Sequence, residues 1–180
     1  MDTLAALEQT FARTEQLLSG TTAAQLGDPT PCKGWTVREL VEHLTAVVAG
    51  MGAAVSGSAP AAFAVEGDLG KGFAPIAAAT LAAWRSPGAL EATVDAGAGA
   101  MPGSVYLGIN LLDTAGHAWD LAKATGQDTE LPAGAAQVAL ECARQIVSDE
   151  IRPGRFDAAV AVGADASPTT QLAAFLGRQP

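Results

Sequence analysis

The sequence predicts an all-α fold, an antiparallel helical bundle, from three observations. Apolar residues recur at helical spacing in four or five segments, strand signals are few, and a long Gly, Ser, Ala and Pro connection over residues 52 to 72 permits a crossover. At 180 residues the chain is long enough to bury a substantial core without disulfides or a structural metal. It is read as one domain over residues 1 to 180, with a short C-terminal extension from about residue 152.

Leu4, Leu7, Phe11, Leu17 and Leu18 mark a first helix over about residues 3 to 19, capped by Asp2 or Thr3 and ended by Gly20. The next stretch, Gly27-Asp28-Pro29-Thr30-Pro31-Cys32-Lys33-Gly34-Trp35, holds too much Pro and Gly for regular helix and reads as an ordered loop anchored by Trp35. Thr36 and Glu39 form a capping box that opens a second helix to about residue 51. Residues 73 to 85 carry a third helical pattern, stopped by Ser86-Pro87-Gly88, and residues 90 to 94 read as a short extended piece. A fourth and most regular helix covers 104 to 125, with Gly126 as its C-cap, and Pro132 opens a fifth to about residue 151. In the tail, residues 158 to 162 form a short apolar run, and Ser167-Pro168 caps a small helix through residue 176.

The formal net charge of −9 argues against binding a phosphate backbone, which needs clustered Lys and Arg, so nucleic acid is excluded as a partner. Hydrophobic residues make up 49% of the chain, but the excess is Ala, and no apolar run approaches the roughly 20 residues of a membrane span. The start, Met1-Asp2-Thr3-Leu4, shows neither a signal peptide nor a lipid anchor, so a cytoplasmic location is expected. Cys32 and Cys142 form no C-x-x-C motif and are expected as reduced thiols.

The chain has two histidines, and both fall in helical segments. Asp113 and His117 are four residues apart, so their side chains leave one helix roughly 40° apart. A second helix needs to supply only His43 to complete two imidazoles and a carboxylate, a common first shell for a divalent transition metal, most often zinc.

A plainer reading stands beside it. Periodicity sets His117 with Asn110, Asp120 and Leu121 on a polar, solvated face and Trp119 in the core, and His43 at the edge of an apolar stripe where a packed or solvated imidazole is commoner than a ligand. Asp120 is either an acceptor that orients an imidazole or a solvent-facing acid near Lys123. Cys32 reads as a structural loop thiol without a local histidine partner, Cys142 as a buried helical filler, and Trp35, Trp84 and Trp119 as core or loop anchors. No phosphate loop, nucleotide fingerprint or serine nucleophile elbow occurs.

The motifs Thr30-Pro31-Cys32-Lys33-Gly34-Trp35-Thr36-Val37-Arg38-Glu39-Leu40-Val41-Glu42-His43-Leu44 and His117-Ala118-Trp119-Asp120-Leu121-Ala122-Lys123-Ala124-Thr125-Gly126 resemble the DinB-like superfamily. The resemblance is to its small actinobacterial branch, related to the metal-binding domain of mycothiol-dependent maleylpyruvate isomerase, and the ending Phe175-Leu176-Gly177-Arg178 resembles the tail of those members. It implies a four-helix bundle with a long crossover connection and a divalent metal, typically zinc, held by His43, Asp113 and His117. It further implies a low-molecular-weight thiol such as mycothiol as co-substrate, and thiol transfer or isomerisation of a small electrophile.

Two departures stand out: the position of Asp113 is often Glu in that branch, and a short tail stands where the isomerase has an extra domain. The expected function is thus a metal-dependent thiol transferase or isomerase. A non-catalytic metal or small-molecule binding protein and a metal-free helical scaffold are the alternatives, and a homodimer is compatible with each.

Overall fold

The computed structural model describes residues 1–97 and 99–180. Six α-helices dominate it: α1 (Thr3–Ser19), α2 (Val37–Ser56), α3 (Leu69–Trp84), α4 (Gly103–Thr125), α5 (Ala133–Ile146) and α6 (Pro168–Phe175). One 3₁₀ turn, Ala23–Gly27, leads into the stretch expected to be irregular. The extended piece is shorter than expected: β1 (Thr93–Val94) pairs antiparallel with β2 (Met101–Pro102).

Caps that act through neighbouring residues stand where the sequence sets them. Asp2 accepts the Ala5 N–H at 2.8 Å, Thr36 and Glu39 form the capping box of α2, and Ser167 accepts the Thr170 N–H ahead of Pro168. Gly126 closes α4 in the left-handed conformation.

The second and third helices are longer than the spacing suggests. α2 continues to Ser56 and α3 starts at Leu69, capped by the Asp68 carboxylate on the Lys71 N–H, so the connection shrinks to residues 57–68. Gly52 and Gly70 read as loop formers, yet both serve close packing inside helices. A Cβ on Gly52 would lie 2.5 Å from Thr80 Oγ1, and one on Gly70 would meet the Ser19 side chain and the Glu15 carbonyl. α5 ends at Ile146 instead of about 151, because Val147 turns out of the helix at ψ 87°. Residues 158–162 take no regular structure, although the Val160 N–H reaches the Ala174 carbonyl.

Helix packing places α1 against α3, α3 against α2, α2 against α4, and α4 against α1, which closes a four-membered ring around the core. Since α2 and α3 are neighbours, residues 57–68 join adjacent helices and are not the crossover expected there. The links that cross the ring are 20–36, between α1 and α2, and 85–102, between α3 and α4. α5 packs on α1 and α4, and α6 covers α5.

Phe11, Leu40, Leu44, Phe73, Trp84, Tyr106, Leu111 and Leu121 fill the interior. Trp84 donates its indole N–H to Asn110 Oδ1 at 3.1 Å across the diagonal. Among the described residues no helix is long and apolar enough to cross a membrane.

Candidate metal centre

α2 and α4 run side by side, and each brings histidine chemistry to the same point. The capping box fixes the start of α2, which puts His43 two turns in; α4 carries Asp113 and His117 one turn apart. His43 Nε2 stands 3.8 Å, and His117 Nε2 3.7 Å, from Asp113 Oδ1. One donor atom from each of the three residues lies within 4.8 Å of the others. Tetrahedral ligands about 2.0–2.1 Å from a zinc ion stand about 3.4 Å apart, so each imidazole need approach Asp113 Oδ1 by only a few tenths of an ångström.

The donor set fits such an ion on a second ground. Asp113 Oδ2 is buried and finds no hydrogen-bond partner among the described residues, which leaves a carboxylate with acceptor capacity that they do not use.

His117 is not on a solvated face. Its side chain keeps 13% of its exposure, and Asn110, Thr114 and Asp120 on the same helix are fully buried. α4 is enclosed on nearly all sides, so its polar stripe faces partners instead of water. Trp119 is buried as expected, with Lys123 Nζ 5.5 Å over its ring.

Asp120, read as either an orienting acceptor or a surface acid, has 0% exposure and sits 3.1 Å from His117 Nδ1. Burial opposes its ionisation, but the hydrogen bonds and charges of His117 and Arg178 win and hold it at about 2. In the neutral form of His117, the tautomer that donates Nδ1–H to Asp120 is the one whose Nε2 lone pair faces Asp113.

Arg178 is the residue that sequence reasoning missed as part of the site. Its fork grips Asp120 through Nε at 3.1 Å and Nη2 at 2.7 Å, from 58 residues away, and no local pattern announces that pairing.

Cys32 also departs from expectation, since its Sγ lies 3.2 Å from Asp120 Oδ2 and 3.8 Å from His117 Nδ1. The loop bends back through the Thr30 N–H to Trp35 carbonyl bond, with Gly34 at a φ of 79° that favours glycine. Burial, then the charge and hydrogen bonding of Asp120, push the thiol up to about 12, so it stays protonated at neutral pH.

Trp35 is more than a loop anchor. Its ring lies 4.8 Å from His43 and 6.0 Å from His117, walling both imidazoles. Cys142 sits half-buried on α5, away from the cluster, and both cysteines are free.

Cys32, His117 and Asp120 make a second group with metal-ligand chemistry. That group is the poorer cradle, because the Arg178 guanidinium already occupies both Asp120 oxygens and would repel a cation.

The family of the mycothiol maleylpyruvate isomerase N-terminal domain matches residues 7–122, which include His43, Asp113, His117 and Asp120. The chain belongs to this family. Its fold is all-α and DinB-like, and the family it belongs to is mycothiol-related.

Two curated relatives, the uncharacterized proteins MT0763 and Rv0738 of Mycobacterium tuberculosis strains CDC 1551 / Oshkosh and ATCC 25618 / H37Rv, are each 36% identical over 180 residues. Each alignment covers 99% of this chain and 98% of the relative. The crystal structure of the mycothiol-dependent maleylpyruvate isomerase superposes with a TM-score of 0.52 at 21% identity, over 78% of this chain and 65% of that one. That likeness is one of fold. Arg178 lies beyond the family match, while the Asp120 it grips lies inside.

Proposed function

We propose that the protein is a divalent-metal-dependent thiol transferase or isomerase. His43, Asp113 and His117 hold the metal, zinc by the chemistry of the donors; a low-molecular-weight thiol such as mycothiol is co-substrate, and a small electrophile is substrate. The observation that carries this reading is the convergence of two imidazoles and a carboxylate whose second oxygen is buried and unpartnered. The thiol class is supported by the family description and by the name of the isomerase of similar fold, both of which specify mycothiol.

A zinc ion, when bound, lowers the pKa of a thiol that reaches it and so supplies a nucleophile at neutral pH. The chain's own groups prepare that step. Asp120 holds the His117 tautomer that points a lone pair at the centre. Trp35 packs on both imidazoles and shields that side from water. His43 keeps 36% of its side-chain exposure, which leaves a solvent-facing approach for the incoming thiol. Cys32, held protonated, does not compete with it.

The test is metal content per chain by elemental mass spectrometry on untagged protein purified without a nickel column, with His43→Ala and His117→Ala beside it. Near-stoichiometric metal in the parent and its loss in both variants is expected, followed by mycothiol-dependent consumption of an electrophile by the parent alone. Metal-free parent after reconstitution with zinc would refute the ligand assignment. Metal-replete protein that turns over no electrophile in a broad panel would leave a binding protein in place of an enzyme.

A further inference from the structure

We propose that the C-terminal segment is a working part of the metal centre: Arg178, seated on Asp120, is a positioning residue that holds His117 in its ligating pose, so that metal binding and docking of the segment reinforce each other. The inference rests on the ligand assignment above.

Asp120 is the hub. Its Oδ1 accepts from Arg178 Nε at 3.1 Å, and its Oδ2 takes Arg178 Nη2 at 2.7 Å, His117 Nδ1 at 3.1 Å and the Cys32 thiol at 3.2 Å. Four donors on one carboxylate with 0% exposure leave it no freedom to turn, and the imidazole is fixed through it.

The segment is built to deliver Arg178 there. Arg178 Nη1 donates back to the Leu176 carbonyl at 3.1 Å, which sets the plane of the fork. Gly177 takes a φ of 83°, and a Cβ there would lie 2.6 Å from the Asp157 carbonyl oxygen, so the turn that aims the arginine requires glycine.

Gly116 on α4 opens the space on the other side. A Cβ on it would stand 3.3 Å from Leu176 Cδ1 and 3.7 Å from Arg178 Nη2. Arg152 ties the strap down through the Asp157 and Phe175 carbonyls at 2.9 and 3.0 Å, and Lys33 pairs with Asp157 beside the Cys32 loop. A strap held at both ends, with its arginine buried on the partner of a metal ligand, couples two events that a loose tail would leave independent. By linkage, whatever the docked segment adds to metal affinity the metal adds to docking.

The experiment compares the full chain with Arg178→Met and Arg178→Lys, reading zinc affinity by competition with a chromophoric chelator and the visible spectrum of the cobalt-substituted protein. Arg178→Met is expected to weaken zinc binding by about 10- to 100-fold and to alter the cobalt spectrum. Arg178→Lys is expected to recover part of both, since it restores the charge but not the fork. Unchanged affinity and spectrum in Arg178→Met, with only a lower melting temperature of the metal-free protein, would reduce Arg178 to a structural strap and overturn the proposal.

Hydrogen exchange on the unaltered protein tests the same linkage without a variant, and so decides the matter should Arg178→Met fail to fold. Amides of residues 174–178 are expected to gain protection when zinc is added. Equal exchange with and without bound zinc would overturn the coupling, whereas failure of the parent to bind zinc at all would remove the ligand assignment itself.

Discussion

Trp84 and Asn110 are joined across the diagonal of the bundle by an indole N–H donated to Oδ1 at 3.1 Å, both side chains being fully buried. Asn110 lies three residues before Asp113 on α4, so this bond anchors the helix face that carries the candidate ligands.

Asn110→Ala is expected to destabilise the protein by about 1–3 kcal/mol through the orphaned indole N–H alone, before any cavity term. Adding Trp84→Phe, which removes that donor, should recover part of the loss. Denaturant melts of the two single variants and the double variant check this; strictly additive losses would show that the bond contributes nothing.

Acid sensitivity should begin at the helix starts. The Thr36 N–H and hydroxyl hold the Glu39 carboxyl below its ordinary 4.5, and the Lys71 N–H, then the Ser19 hydroxyl, hold Asp68 below 3.8. A carboxyl depressed in the folded state contributes stability that is present above its unfolded pKa and is lost as pH falls through the folded one. Stability of the unaltered protein is therefore expected to decline below about pH 4.5. Glu39→Gln should flatten part of that decline while lowering stability at pH 7, as read by urea midpoints across the pH range.

The same capping carboxylates mark what the sequence makes legible. Asp2, Thr36 with Glu39, Gly126 and Ser167 act on residues within one turn, so a local pattern suffices to find them. The three-residue spacing and four-residue spacing along α4 likewise group Asn110, Asp113, His117 and Asp120 on one face. Periodicity separates polar from apolar, however, and not buried from exposed. That face reads as solvated because nothing within α4 reveals that Trp84 and Arg178 meet it from 26 and 58 residues away. Gly52 and Gly70 illustrate the converse: a glycine that breaks helices in isolation is read as loop, and only the facing Thr80 and Ser19 show why helix is retained there.

Gly52→Ala measures that close approach. The added methyl would meet Thr80 Oγ1 at 2.5 Å and the Thr80 backbone Cα at 3.0 Å, and a backbone atom cannot rotate away. Helix propensity favours alanine by about 1 kcal/mol, so net destabilisation means that overpacking exceeds it. A loss of about 1–3 kcal/mol is expected in thermal melts. A gain in stability would mean that α2 and α3 separate at little cost.

Asp113→Ala is expected to be tolerated by the metal-free protein and to abolish its stabilisation by zinc. In metal-free protein its Oδ2 is a buried acceptor with no partner, so Asp113→Ala gives up a poorly satisfied group and is expected to cost less than about 1 kcal/mol or to stabilise. In the parent, zinc at about 100 times its dissociation constant should add about 2.7 kcal/mol to stability, because the ion binds only the folded chain. The variant should show no such gain, and a chelator should lower the melting temperature of the parent alone. Equal responses of parent and variant to zinc would place the ion elsewhere on the protein and leave His43 and His117 without their shared carboxylate partner.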